Sequence, residues 1–202
     1  MTTASEQDDK SLVSLSKDGD LAAFNSLVDR YERDIYNLCY RILGDRQAAE
    51  DAAQESFLSA YRSLARFAGG NVRSWLLRIA ANQSKDELRR RKRKDRAASL
   101  DQMFDTIGAP VEVSDQTQSS EQAFEDKERA ELLQLLLLEL PEDQRKALIL
   151  VDLMDHRYEE AAEVLQLSVG TVKSRIHRGR AKLRSILSNR PELLAGYIRL
   201  KE

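Results

Sequence analysis

Residues Tyr158–Arg184 read YEEAAEVLQLSVGTVKSRIHRGRAKLR, and their periodicity decides the fold class of the whole chain. Tyr158, Ala161, Ala162 and Leu165 recur at three- and four-residue spacing, which places them on one face of a helix. Ser168-Val169-Gly170 interrupts the pattern. Gly170 is expected to take a backbone conformation that a side chain would oppose, and Thr171 to cap a second helix. Val172, Ile176, Leu183 and Leu187 then restart an apolar stripe, while Lys173, Arg175, Arg178, Arg180, Lys182 and Arg184 occupy the remaining surface. No Asp or Glu falls between Thr171 and Arg190. Exposed helices usually mix both signs, so an acid-free basic helix after a short turn calls for a polyanion. A helix–turn–helix that presents its second helix to a DNA major groove fits this pattern. An ordinary amphipathic helix pair with a solvated basic face is the alternative.

Outward from this stretch the same helical period recurs. The chain is 42% hydrophobic with only 8 Gly and 3 Pro in 202 residues, and no segment alternates at period two long enough to form a sheet. The expected fold is all-α, two small helical domains joined by a flexible acidic linker. A net charge of −2 conceals strong segregation. Basic residues gather in Lys85–Arg96 and Lys173–Arg190, acidic ones in Asp101–Glu128 and near the N-terminus.

Met1–Asp9 is expected to be disordered, and Lys10–Lys17 to form a short helix ended by the Lys17–Asp20 turn. Asp20 can cap a helix running to Leu43, with Phe24, Leu27, Val28, Tyr31, Ile35, Leu38 and Ile42 as its buried stripe. Gly44 suits a C-cap and Asp45 an N-cap for Arg46–Leu64, which carries an alanine-rich apolar side opposite Glu50, Asp51, Gln54 and Glu55. Ala65–Asn71 reads as a loop and Val72–Lys94 as a helix, so the first domain spans 10–96. Residues 97–122 have linker composition, and their acidity either shields the flanking basic surfaces or merely keeps the segment solvated. The second domain, 123–190, begins with a helix over Ala123–Glu139, restarts at Pro141 with a helix over Asp143–Met154, and ends in the helix–turn–helix; 191–202 is a tail.

Cys39, the single cysteine, excludes an internal disulfide and reads as a small core residue. His156 is the sole histidine that could join His177 on a metal, so no zinc and no other cofactor is expected. No apolar run approaches the roughly 20 residues that span a bilayer, and no signal-peptide core is present. A cytoplasmic protein without membrane insertion is expected. A phosphate-binding glycine loop, a nucleophile–base pair and a metal cluster are all missing from the sequence, which argues against an enzyme.

Three stretches together resemble the extracytoplasmic-function, or group 4, sigma factors of bacterial RNA polymerase. Asp51–Tyr61 is similar to region 2.2, Phe67–Asn82 to regions 2.3–2.4, and Leu140-Pro141-Glu142 with Tyr158–Glu160 and Val169–Arg175 to region 4. Their order and spacing extend over Lys10–Leu187. The resemblance implies a subunit that docks on the core polymerase β′ clamp and β subunits, reads duplex −35 DNA, melts −10 DNA and holds it single-stranded. It also implies control by an anti-sigma factor. By the same likeness, Asp51, Gln54, Glu55, Phe57 and Tyr61 would bind polymerase. Phe67, Gly69, Gly70, Asn71, Arg73, Trp75, Arg78, Asn82 and Lys85 would handle the −10 element, although a lone Trp in an apolar stripe is also a core residue. Tyr158, Thr171, Lys173, Ser174, Arg175, His177, Arg178 and Arg180 would face the −35 element. A free-standing helix–turn–helix regulator is the rival reading; it explains Tyr158–Arg184 but gives Asp51–Asn82 no task.

Overall fold

The computed structural model describes residues 4–98 and 120–190, and every regular element among them is helical. The α-helices in order are α1 (Ala4–Lys17), α2 (Leu21–Leu43), α3 (Arg46–Ser63), α4 (Val72–Ala98), α5 (Ser120–Leu138), α6 (Glu142–Leu148), α7 (Tyr158–Leu165) and α8 (Val169–Asn189), with a 3-10 turn, Leu64–Arg66, opening the stretch between α3 and α4. Most of the expected linker, 99–119, and the tail, 191–202, lie outside the described residues.

Side-chain caps set the borders of the first region. Asp20 accepts from the Ala22 and Ala23 N–H groups at 2.8 and 3.2 Å, supplying partners that the first turn of α2 lacks. Gly44 ends that helix at φ 72°, and Asp45 accepts from Ala48 at 2.8 Å to start α3. Asp20→Ala is expected to cost about 1 kcal/mol of stability, read as a lower urea midpoint at unchanged slope. An unmoved midpoint would mean that water caps α2 as well as the carboxylate does.

Of the stretch 1–9 expected to be disordered, the part from Ala4 on is helical and opens α1, while 1–3 lie outside the described residues. Asp8 and Asp9 both accept from Arg30, and the Tyr31 hydroxyl donates to the buried Asp9. This pairing with α2, more than 20 residues away, ties down an end that local composition marks as polar. Val13 adds a buried apolar contact.

The α2 stripe closes on the alanine face of α3 and on Leu76, Leu77, Ala80 and Ala81 of α4. Small side chains on α3 let the three axes approach closely, and each fully buried Leu or Ile contributes roughly 1.5–3 kcal/mol. In the second region α8 packs on α6 and α7 through Val172 and Ile176, against Leu148, Ala161 and Val164. Instead of one helix over Asp143–Met154, α6 widens after Leu148 into a π-type turn, Ile149–Leu153, in which Met154 N–H bonds Ile149 O at 3.0 Å. The two regions also pack on each other, α2 against α5 and α6, and α4 against α7.

The turn of the helix–turn–helix differs from the sequence expectation. Gln166, not Gly170, is the left-handed residue, at φ 55°, and Gln166 and Leu167 return N–H bonds to Glu163 and Ala162. Ser168, not Thr171, is the cap: its Oγ accepts from Thr171 N–H at 3.1 Å. Gly170 sits inside the first turn of α8. A hydroxyl three residues ahead of an unpaired N–H captures the helix start, and the chain bends one turn earlier than its glycine suggests.

Candidate nucleic-acid and partner interfaces

Three surfaces carry the residues singled out in the sequence. On α3, Asp51, Gln54 and Glu55 are exposed, Phe57 is half-buried, and Tyr61 is exposed with its ring edge-on to Phe24 at 5.0 Å. Gln54 and Phe57 line a groove of about 400 Å³ whose other wall is α2, through Val28, Glu32, Arg33 and Tyr36. This wall was missed by the sequence reading, which assigned Val28 to the buried stripe. The i, i+4, i+8 spacing of Val28, Glu32 and Tyr36 is the signal that marks it. Glu55 meets Arg62 at 3.2 Å, an exposed pair of little energetic weight.

The second surface is the loop before α4 and the start of that helix. Gly69 and Gly70 both have positive φ, 100° and 103°, so this turn requires glycine for its own geometry. Asn71 Oδ1 accepts from Ser74 N–H at 2.8 Å and so caps α4. The Trp75 ring is buried against Phe67, 4.7 Å away, which makes it a core residue in this conformation and takes it away from base stacking. Lys17 donates to the Phe67 carbonyl at 2.6 Å, fastening the loop to α1. Arg73 Nε bonds Asp34 Oδ2 at 2.6 Å. Asn82 is exposed, and Arg78 and Lys85 are half-buried. Asn82 and Lys85 lie at a cleft of about 410 Å³ whose far wall is Lys146, Leu165, Leu167 and Arg175 of the second region. The helices therefore do not gather the whole predicted −10 set into one open face.

The third surface is α8. Lys173, Ser174, His177 and Arg178 point outward, Lys173 Nζ stands 5.5 Å from the Tyr158 ring centre, and Arg178 folds back on Ser174 Oγ at 3.0 Å. Thr171 Oγ1 and Ser168 Oγ share a hydrogen bond of 2.8 Å. Arg175 is paired with Asp143 at 3.3 Å. Arg180 is held by both oxygens of Asp152, at 2.6 and 3.0 Å, and these hydrogen bonds raise its pKa further. Lys182 and Arg184 are exposed further along α8, while Lys173 and Arg178 carry the outward charge of its N-terminal half, the part of such a helix that meets base edges.

His156 is buried, its Nδ1 3.3 Å from Glu160 Oε2. Burial first, and the Arg73 charge second, lower its pKa below that of an ordinary histidine. Burial also pushes the Cys39 thiol up to about 11, which suits an inert core thiol. Among the described residues no group of His, Cys, Asp and Glu is arranged to hold a metal ion, and no helix is long and apolar enough to cross a membrane.

Comparison with known proteins supplies independent findings. Residues 27–94 match the family described as Sigma-70 region 2, and residues 130–183 the family described as Sigma-70, region 4. The chain is 37% identical over 173 residues to the ECF RNA polymerase sigma factor SigE of Mycolicibacterium smegmatis, spanning 84% of this chain and 65% of that protein. It is 37% identical over 180 residues to the RNA polymerase sigma-H factor of Pseudomonas aeruginosa, spanning 87% of this chain and 91% of the relative. Among solved structures, CnrH in complex with the cytosolic domain of CnrY superposes with a TM-score of 0.66 at 27% identity, over 90% of this chain and 98% of that one. The sigma factor RpoE of Bartonella quintana, solved with the anti-sigma factor NepR, shares the fold with a TM-score of 0.61 at 24% identity, over 82% of this chain and 96% of its own.

Proposed function

The chain belongs to the extracytoplasmic-function class of the sigma-70 family, being also 37% identical over 180 residues to the ECF RNA polymerase sigma factor SigW of Bacillus subtilis, across 92% of that protein, and from that premise we propose how its three surfaces divide the work of starting transcription. It is a sigma factor that binds core RNA polymerase, directs it to promoters and answers to an anti-sigma factor. Residues 10–96 serve as region 2, 97–122 as the linker, and 123–190 as region 4.

Region 2 engages the β′ clamp through the α2–α3 groove. Gln54 and Glu55 give direction, and Phe57 with Tyr36 gives apolar contact. The exposed Asn82 and the half-buried Lys85, with Arg78, hold the displaced −10 strand by its base edges and phosphates. The N-terminal half of α8 reads the −35 duplex, with Lys173 and Arg178 on base edges or the nearest phosphates. Melting makes and breaks no covalent bond, so none of these residues needs to be catalytic. The protein works where the polymerase does, in the cytoplasm.

The observation that carries this reading is the succession, in one chain, of a mixed polar and apolar groove on α2–α3 and an acid-free basic recognition helix. A free-standing regulator has a use for the second and none for the first. Run-off transcription with purified bacterial core polymerase and a library of promoter fragments tests it. New transcripts from a discrete −35/−10 pair, dependent on both core and this protein, are expected. Tight duplex binding without core, and no new transcript with it, would hand the protein to the regulator class.

A further inference from the structure

The C-terminal end of α2 is finished by side chains from the other region. The last turn of a helix leaves carbonyls without intrahelical partners. Here Gln134 Nε2 of α5 lies 3.3 and 3.4 Å from the Tyr40 and Arg41 carbonyls. Arg145 of α6 donates to the Ile42 carbonyl, and also to Leu138 O at 3.0 Å and Leu140 O at 3.1 Å. Its guanidinium thus joins the ends of α2 and α5, where the partial negative charge of both helices favours a cation. In return Arg41 reaches Ala130 O at 3.5 Å and Gln134 Oε1 at 3.4 Å. Beside them, a side chain on Gly44 would begin 2.6 Å from Leu138 Cδ1, so the seat is shaped to the leucine.

We propose that this carbonyl clamp is an autoinhibitory latch: it holds the free chain closed, with region 4 facing Asn82 and Lys85 of α4 across one cleft and limiting a strand's access to them. The inhibitory half rests on the assignment of those two residues to the −10 strand. Their cleft has region 4 as its opposite wall, while no residue lining the α2–α3 groove takes part in the latch. A closed chain therefore still presents its polymerase-docking groove while its strand-holding surface is narrowed.

The latch is built to release. Gln134 and Arg145 are buried, and Arg145 Nε has no acceptor among the described residues. A buried cation short of one partner gains hydration when the regions part, which offsets the carbonyl bonds that are lost. The α2 carbonyls can likewise turn to water.

Small-angle scattering from the full chain, wild type beside Arg145→Ala and Arg41→Ala, tests the closure from both sides of the contact. The wild type is expected to be compact, and each variant to have a larger radius of gyration at unchanged far-UV circular dichroism. Binding of a fluorescent single-stranded 20-nucleotide random pool then reads the occlusion. If about nine in ten wild-type molecules are closed, opening tightens binding roughly tenfold. Each variant also removes a positive charge, which by itself weakens DNA binding, so a gain cannot be electrostatic. Equal radii in all three proteins would overturn the latch. Expansion without tighter binding would overturn its inhibitory role. Adding Asn82→Ala and Lys85→Ala to the open Arg145→Ala chain tests the strand assignment separately, since those changes abolish the gain only if the two residues hold the strand.

Discussion

Gly179→Leu leaves region 2 folded and removes −35 recognition. Gly179 is buried where α8 crosses α6, and a Cβ there would stand 2.6 Å from Leu148 Cδ1, 3.3 Å from its Cγ and 3.4 Å from Gln144 Cβ. Alanine is the tolerable change. Leu148 can swing its Cδ1 aside, and replacing a helical glycine recovers up to about 1 kcal/mol of propensity. A branched side chain needs space that the crossing does not have. Leu148 and Ala147 are both buried on α6, while Val172 and Ile176 precede Gly179 on the same face of α8. Overpacking of this kind costs about 1–3 kcal/mol and is relieved by moving α8 off α6. That movement misaims Lys173, Ser174, His177 and Arg178 together. In run-off assays Gly179→Leu should abolish −35-dependent initiation, whereas Gly179→Ala should stay near wild type. Binding of core polymerase should survive in both, because the α2–α3 groove lies in the other region. Full promoter activity in Gly179→Leu would show that the helix crossing has slack the structure does not contain.

What the sequence made legible follows the range of the interactions concerned. Asp20, Gly44 and Asp45 were readable as caps because each acts on N–H or C=O groups within a few residues. The apolar stripes of α2 and α8 were readable for the same reason, since periodicity is local. Gly170 misled because glycine permits a positive φ without demanding it. The left-handed position went to Gln166, where the returning N–H bonds of the turn compensate the side chain's strain, and Ser168 then capped α8.

Long-range pairings left no such trace. Asp8 and Asp9 read as a solvated acidic terminus until Arg30 is placed beside them. Arg175 and Arg180 read as part of the basic face toward the −35 element, and nothing in the sequence signals that Asp143 and Asp152 pair with them from the neighbouring helical segment. Arg145 carries no local signal of its role, and only the approach of two helix ends gives its charge a place. Of the groove proposed as the polymerase-docking surface, the α3 side lies within Asp51–Tyr61, the stretch singled out in the sequence. Its α2 side was hidden because Val28, Glu32 and Tyr36 border the buried stripe and share its period.

Gln54→Ala combined with Glu55→Arg should abolish transcription while leaving the protein folded. Both side chains are exposed on α3, and neither is a cap. Among the described residues, the ion pair given up in the isolated chain is Glu55–Arg62 at 3.2 Å, worth about 0–1 kcal/mol at such exposure. The new Arg–Arg neighbourhood adds at most a few tenths, because both groups stay in water. Against core polymerase the balance is different. Gln54 lines the groove with Tyr36 and Phe57, so a partner helix seated there excludes water from its amide. Loss of a central interface residue typically costs about 2–4 kcal/mol, or roughly 30- to 1,000-fold in affinity. The reversed charge at position 55 adds repulsion wherever the native carboxylate had been matched by a cation. Titration of labelled protein with core enzyme should therefore show affinity falling by about two orders of magnitude or more. The thermal transition and the binding of α8 to −35 duplex should not change. Unaltered core affinity would remove the α2–α3 groove as the docking site. A lowered melting temperature would instead trace the defect to folding, which the exposure of both residues argues against.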